Sequence, residues 1–259
     1  MRRTLFLILA LAGLVWGPAV ALAQTGIVLM HGKWGTSLPR SPVGMLATEL
    51  RSAGFRVVAP DMPWSRSRLY DRALAGAMRE IDAAVTDLRR QRARKIVVGG
   101  HSLGANMALA YGARRSGLAG ILMMAPGHRP EGGRARRLSA SGRAEARRAV
   151  AAGKNRRRVT VTDLNQGRER SLTISARAVL DYFSPNGPAV MPLNAPRLKR
   201  GTPLLWIIGE RDRLMAAGRG YVFAKVPPHP KNAYIVVRGG HRATPRIGRN
   251  EIIAWLRRL

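Results

Sequence analysis

Six short apolar runs divide this 259-residue chain, and their character restricts the fold more than any other feature of it. They are GIVLM (26–30), FRVVAP (55–60), KIVVGG (95–100), GILMMAP (120–126), PLLWIIG (203–209) and AYIVVRG (233–239). Most are near-continuous. A strand with one wet face alternates apolar and polar residues, whereas a strand covered on both faces does not. Helical patterns lie between the runs. Pro42 to Ala53 holds a short one, and Leu74, Met78, Ile81, Val85 and Leu88 recur at helical spacing with Arg and Asp on the outer side. Leu103 to Arg115 and Glu251 to Leu259 complete the set. Strand alternating with helix predicts an α/β fold, a mostly parallel sheet flanked by helices.

Residues 127–200 break this rhythm. They hold a basic helical stretch (Arg134 to Ala152), a short alternating segment VTVTD (159–163) and a Pro-rich end (Ser184 to Pro203), with no clear buried strand. So long an excursion in a compact domain is expected to be a cap-like insertion, leaving 24–126 and 201–259 as the core.

The N-terminus reads as a signal peptide over 1–23. Met1-Arg2-Arg3 is followed by the apolar run TLFLILALAGLVW, a Gly17-Pro18 break and the small-residue site Ala21-Leu22-Ala23. The run is short for a membrane span. Cleavage is expected between Ala23 and Gln24, placing the mature chain in the periplasm or outside the cell. The chain has no cysteine, which excludes disulfides, thiolate metal sites and a cysteine nucleophile.

Lys and Arg number 45 against 14 Asp and Glu, a formal net charge of +31. Such a balance favours anionic partners. No stripe of aromatics interleaves with the charge, as a single-strand binder needs, so nucleic acid is not the expected partner. An anionic surface stays open as a partner, and the oligomeric state is not readable. Residues 127–200 carry 17 basic and 5 acidic residues. Their arginines suit carboxylate or phosphate groups, and equally a solvated surface.

The third run leads directly into Gly100-His101-Ser102-Leu103-Gly104, and a helical pattern follows at once. A strand-to-helix turn this tight needs small flanking residues, because a side chain there would strike the neighbouring backbone. It lifts the central hydroxyl to the carboxyl edge of the sheet, where the next helix points its N–H groups. Asp212 follows the fifth run in IIGERDRL and His241 follows the sixth in VVRGGHRA. Asp163 and Asp181 are alternative acids. His31-Gly32 follows the first run. His101 reads as a filler of the motif, since no second metal-type residue stands at helical spacing from it.

With these residues the sequence resembles the α/β-hydrolase superfamily over most of the mature chain outside 127–200. In that family nucleophile, acid and histidine come in this order, each after a successive strand. The resemblance implies a Ser102–Asp212–His241 triad, backbone N–H donors at Lys33 and Leu103 for an oxyanion, and Trp34 in the acyl pocket. It implies a small-molecule ester or related acyl substrate, a covalent acyl-enzyme, no cofactor and no metal. A thioesterase or peptidase on the same fold, and a non-catalytic anion-binding scaffold, are the alternatives. Two departures stand out. Many relatives carry D-x-x-G-x-G-x-S after the second strand, and Asp61 to Ser67 lacks both glycines. The first two antiparallel strands of larger relatives are also missing, which implies a trimmed core.

Overall fold

The computed structural model describes residues 25–259, and the expected signal peptide and its cleavage site lie outside the described residues. All six apolar runs are strands: β1 (Thr25–Met30), β2 (Arg56–Val58), β3 (Lys95–His101), β4 (Gly120–Met124), β7 (Leu204–Gly209) and β8 (Ala233–Val237). They form one sheet in the order β2-β1-β3-β4-β7-β8, and every neighbouring pair is parallel. Among the described residues no antiparallel strand borders this sheet.

Helices cover both faces. On one side α1 (Pro42–Ser52) and the C-terminal helix α9 (Arg249–Arg257) pack against the sheet. There Ile27, Leu29, Val97, Leu122 and Ile207 meet Leu46, Leu50, Ile252 and Trp255. The other face takes α2 (Leu74–Arg90) and α3 (Leu103–Gly112), which cover Val28, Met30, Val98, Met123 and Trp206. Alternate residues of one strand thus serve opposite clusters, and both sets must be apolar. Local signals start the helices. Ser41 accepts the Gly44 N–H through Oγ at 3.0 Å, and Pro42 stands in the first turn of α1.

Residues 127–200 run between β4 and β7 as α4 (Gly133–Leu138), α5 (Ala140–Ala151), a hairpin of β5 (Arg158–Asn165) and β6 (Arg168–Ser175), α6 (Ala176–Phe183) and α7 (Met191–Asn194). A short helix α8 (Thr244–Ile247) precedes α9. Two features differ from expectation. The single helix expected over 134–152 is broken at Ser139, whose Oγ donates to the Ala135 carbonyl at 2.8 Å and accepts from Arg143 Nε at 3.1 Å. A serine that competes for backbone bonds in this way interrupts a helix. The alternating segment 159–163 lies in β5, and its partner β6 was not expected. In RERSLTIS only Leu172 and Ile174 are fully buried, too few to mark a strand. The turn between the strands is Gln166-Gly167, both left-handed at φ 50° and 87°. Two such residues suit a tight hairpin, but Gln is an unusual choice for the first of them.

The excursion has no separate core, because Val159, Leu172, Ile174 and Tyr182 join the same cluster as Val28 and Leu103. It is also fastened by charge. Lys33 Nζ donates to Asp163 Oδ1 at 2.6 Å and to the Leu164 carbonyl at 2.9 Å. Tyr70 donates its hydroxyl to the other oxygen of Asp163 at 3.0 Å. The Lys33 and Asp163 side chains are only 5% and 2% exposed. Asp181 is structural too: it accepts the Leu74 N–H at the start of α2 (2.9 Å) and pairs with Arg177 (2.9 Å). Among the described residues no helix is long and apolar enough to cross a membrane.

Removing one partner of a buried pair strands the other charge without water. Asp163→Ala is therefore expected to cost about 3–5 kcal/mol, and Lys33→Met with Asp163→Leu distinctly less than Asp163→Ala alone. Urea unfolding of the three proteins checks both statements, and equal losses would contradict them.

Candidate active site

The chain enters the sheet at β1, moves outward to β2, then returns to β3 on the other side of β1. Crevices in open α/β sheets form at the carboxyl ends of strands where the winding reverses in this way. His31-Gly32 and Ser102 leave the two strands that meet there.

Ser102 sits between β3 and α3 with φ 55° and ψ −120°, a backbone region that non-glycine residues rarely occupy. Its neighbours show why the spacing must be Gly-x-Ser-x-Gly. A Cβ on Gly104 would stand 2.5 Å from the Met30 carbonyl oxygen, and one on Gly100 would collide with the Gly104 backbone. The turn closes only with bare backbone on both sides of the serine.

The three residues expected as a triad come together from distant segments. Ser102 Oγ lies 2.9 Å from His241 Nε2, and His241 Nδ1 lies 2.7 Å from Asp212 Oδ2. Asp212 is held in turn, its Oδ1 accepting the Leu214 N–H at 2.8 Å. Its loop is bonded to the histidine loop through Glu210 N–H to Val237 O and Arg211 N–H to Gly239 O, both 2.9 Å. The Asp212 side chain is 3% exposed and that of His241 is 10% exposed. A carboxylate bonded to Nδ1–H leaves Nε2 as the acceptor facing the hydroxyl.

The loop after β1 reaches the nucleophile. A Cβ on Gly32 would be 2.9 Å from Ser102 Cβ. Among the described residues neither the Lys33 N–H nor the Leu103 N–H has a protein acceptor, whereas the Trp34 N–H is taken by Trp64 O at 2.8 Å. The Lys33 peptide is fixed from the excursion side as well, since Asn165 Nδ2 donates to its carbonyl at 3.2 Å. Trp34 is half-buried at φ 53° and lines the same groove as Ser102 and His241, a space of about 840 Å³. A second cleft of about 290 Å³ lies across Lys33 and Asp163, bounded by Gly127, His128 and Asp212.

Three histidines act as neutral struts, and two of them, His101 and His128, carry no sign of that role in the sequence. His31 donates Nδ1–H to Gly32 O at 2.8 Å and accepts the Met62 N–H at Nε2 (2.9 Å). Its carbonyl accepts Trp64 Nε1–H at 2.8 Å. This is how the segment 61–67 holds its shape without glycines, with Trp64 fully buried against the first loop. His101, read as a filler, donates Nε2–H to the His241 carbonyl at 2.9 Å. His128 donates to the Tyr182 carbonyl at 2.6 Å. No spacing rule signals such bonds, because the partner is a backbone oxygen on a remote loop. Burial pulls His101 down to about 3, and the neighbouring imidazole of His241 adds to the effect. Burial likewise lowers His31 and, well below the usual range, His128. Among the described residues no cluster of three or more His, Asp or Glu is placed to hold a metal.

The site is a strained serine on a strand-to-helix turn, bonded through histidine to a buried aspartate. A model described as "Alpha/beta hydrolase family" matches residues 27–247. The chain belongs to that family. No curated protein matches this hydrolase at the sequence level. Solved structures do resemble it. A monoacylglycerol lipase from Paleococcus ferrophilus aligns with TM-score 0.63 and 20% identity, over 90% of this chain and 94% of that one. A thermostable carboxyl esterase from Bacillus coagulans gives 0.62 and 16%, over 90% and 88%. A putative hydrolase from Agrobacterium vitis S4 gives 0.61 and 15%, over 90% and 88%. At these identities the likeness is one of fold.

The struts have a consequence for stability. A buried imidazole whose folded value is depressed stays neutral while the unfolded chain takes up a proton below about pH 6.5. Its contribution is complete above that pH and is lost as pH falls towards the folded value, near 3 for His101. This hydrolase is expected to lose up to about 1.4 kcal/mol per pH unit through His101 between about pH 6.5 and 4, and the other two struts act in the same direction. Urea unfolding across this range measures it. His101→Gln is expected to flatten the slope, and a level profile in the unmodified protein would contradict the account.

Proposed function

We propose that this protein is an exported serine hydrolase that cleaves an ester or related acyl bond. The single observation that carries the reading is the bonded chain from Asp212 through His241 to a strained Ser102. Ser102 Oγ attacks the acyl carbonyl while His241 Nε2 takes its proton. The Lys33 and Leu103 N–H groups receive the developing oxyanion, each worth about 3 kcal/mol of barrier. His241 then gives the proton to the leaving alcohol, and the carbon–oxygen bond breaks. Water attacks the acyl-enzyme with His241 again as base, and Ser102 is restored. Asp212 keeps Nδ1 protonated and stabilises the imidazolium. Trp34 lines the space beside the scissile bond. The residues 127–200 act as a cap whose hairpin braces the Lys33 peptide from above.

The test combines labelling and turnover. A fluorophosphonate probe should label the protein and spare Ser102→Ala. Ser102→Ala should lower kcat on 4-nitrophenyl esters by about 10⁴-fold or more, and Asp212→Asn by about 10⁴-fold. Turnover that survives Ser102→Ala would end the nucleophile assignment. Thioesters and amides in the same panel separate an esterase from its alternatives. For export, N-terminal sequencing of periplasmic material should begin at Gln24.

A further inference from the structure

The groove above Ser102 is lined by four arginines from four separate parts of the chain. Arg40 precedes α1, Arg66 lies after β2, Arg168 opens β6 at the hairpin tip and Arg242 follows His241. All four are exposed. Among the described residues none is in an ion pair, although arginines elsewhere find carboxylates where these are near: Arg68 with Glu80, Arg115 with Asp82, Arg134 with Glu169. No aspartate or glutamate lines the groove. The one lysine there, Lys33, is already matched by Asp163. Trp34 adds a buried indole N–H that has no acceptor among the described residues. The groove thus offers positive charge and hydrogen-bond donors, with nothing of its own to balance them.

We propose that this groove selects substrates carrying an anionic oxygen group, a carboxylate or phosphate, in addition to the scissile acyl bond. The proposal rests on the hydrolase reading of Ser102 and names its substrate class. Guanidinium groups match such anions in a fork geometry that a neutral ester cannot use. Four like charges around one concavity repel each other, and a bound anion relieves that repulsion. Anchored there, the anion would also fix the position of the carbonyl relative to Ser102, which lowers the entropic part of the barrier. A net charge of +31 attracts anions to the whole surface, but that general field does not depend on which arginines remain. A local site does.

Two matched substrate pairs test this and separate the two sides of the bond. One is the 4-nitrophenyl monoester of succinic acid and its methyl ester, with the charge on the acyl side. The other is 4-acetoxyphenyl phosphate and its dimethyl ester, with the charge on the leaving group. Each rate is normalised to that compound's own hydroxide-catalysed hydrolysis. At low ionic strength at least one anionic member is expected to show kcat/KM about fivefold or more above its neutral partner, and the ratio should shrink as salt is raised. Arg168→Gln and Arg40→Gln should each lower that ratio, while Arg90→Gln, on the far end of α2, should leave it unchanged. A ratio below fivefold in both pairs, with Ser102-dependent turnover of the neutral esters intact, overturns the proposal and leaves the hydrolase reading standing. A ratio that Arg90→Gln lowers as much as Arg168→Gln also overturns it. No Ser102-dependent turnover of any ester overturns the hydrolase reading, and this proposal with it.

Discussion

The contact of bare backbone at the end of β3 against the end of β1 is the constraint on which the remainder rests. Gly104 lies under the Met30 carbonyl with no room for a methyl group, and Gly100 lies against Gly104. The turn can then be tight, and the tight turn holds Ser102 at φ 55°. From that position Oγ is within reach of His241, which arrives from a loop 139 residues further along. Strain at one residue is tolerated because the surrounding sheet is parallel, continuous and apolar on both faces. The sheet contributes rigidity, and the loops at its carboxyl edge contribute chemistry.

Around the serine, order is maintained by groups that do not react. His31 and His101 are imidazoles that stay uncharged through burial; His31 spends both ring nitrogens on backbone partners, and His101 spends Nε2 on one. His31 ties the first loop to the second. His101 holds the carbonyl of His241, while the His241 ring itself faces Ser102 Oγ and Asp212. Lys33 joins three parts of the molecule at once, through its own loop, the hairpin and, by way of Asp163, Tyr70.

Much of this was legible in the sequence. Double-sided burial makes strands read as unbroken apolar runs, so all six were visible, and their ends pointed to Ser102, Asp212 and His241. The turn residues carried their own geometric reason. What escaped notice lacked a local signature. β6 buries only two side chains fully, and its first four residues, Arg168 to Ser171, are all exposed. Asp163 was an alternative acid because a carboxylate after a short apolar segment has no visible partner, and Lys33 is 130 residues away among 45 basic residues. His101 bonds to a main-chain oxygen, and main-chain oxygens exist at every position, so no residue type announces it.

The buried tie between Lys33 and Asp163 bears on how molecules come and go. Swinging the hairpin clear of the crevice would expose an ammonium and a carboxylate that are now matched, and would tear an apolar cluster shared with the sheet. The groove beside Trp34 is open without any such movement, a slot under a roof that is tied down.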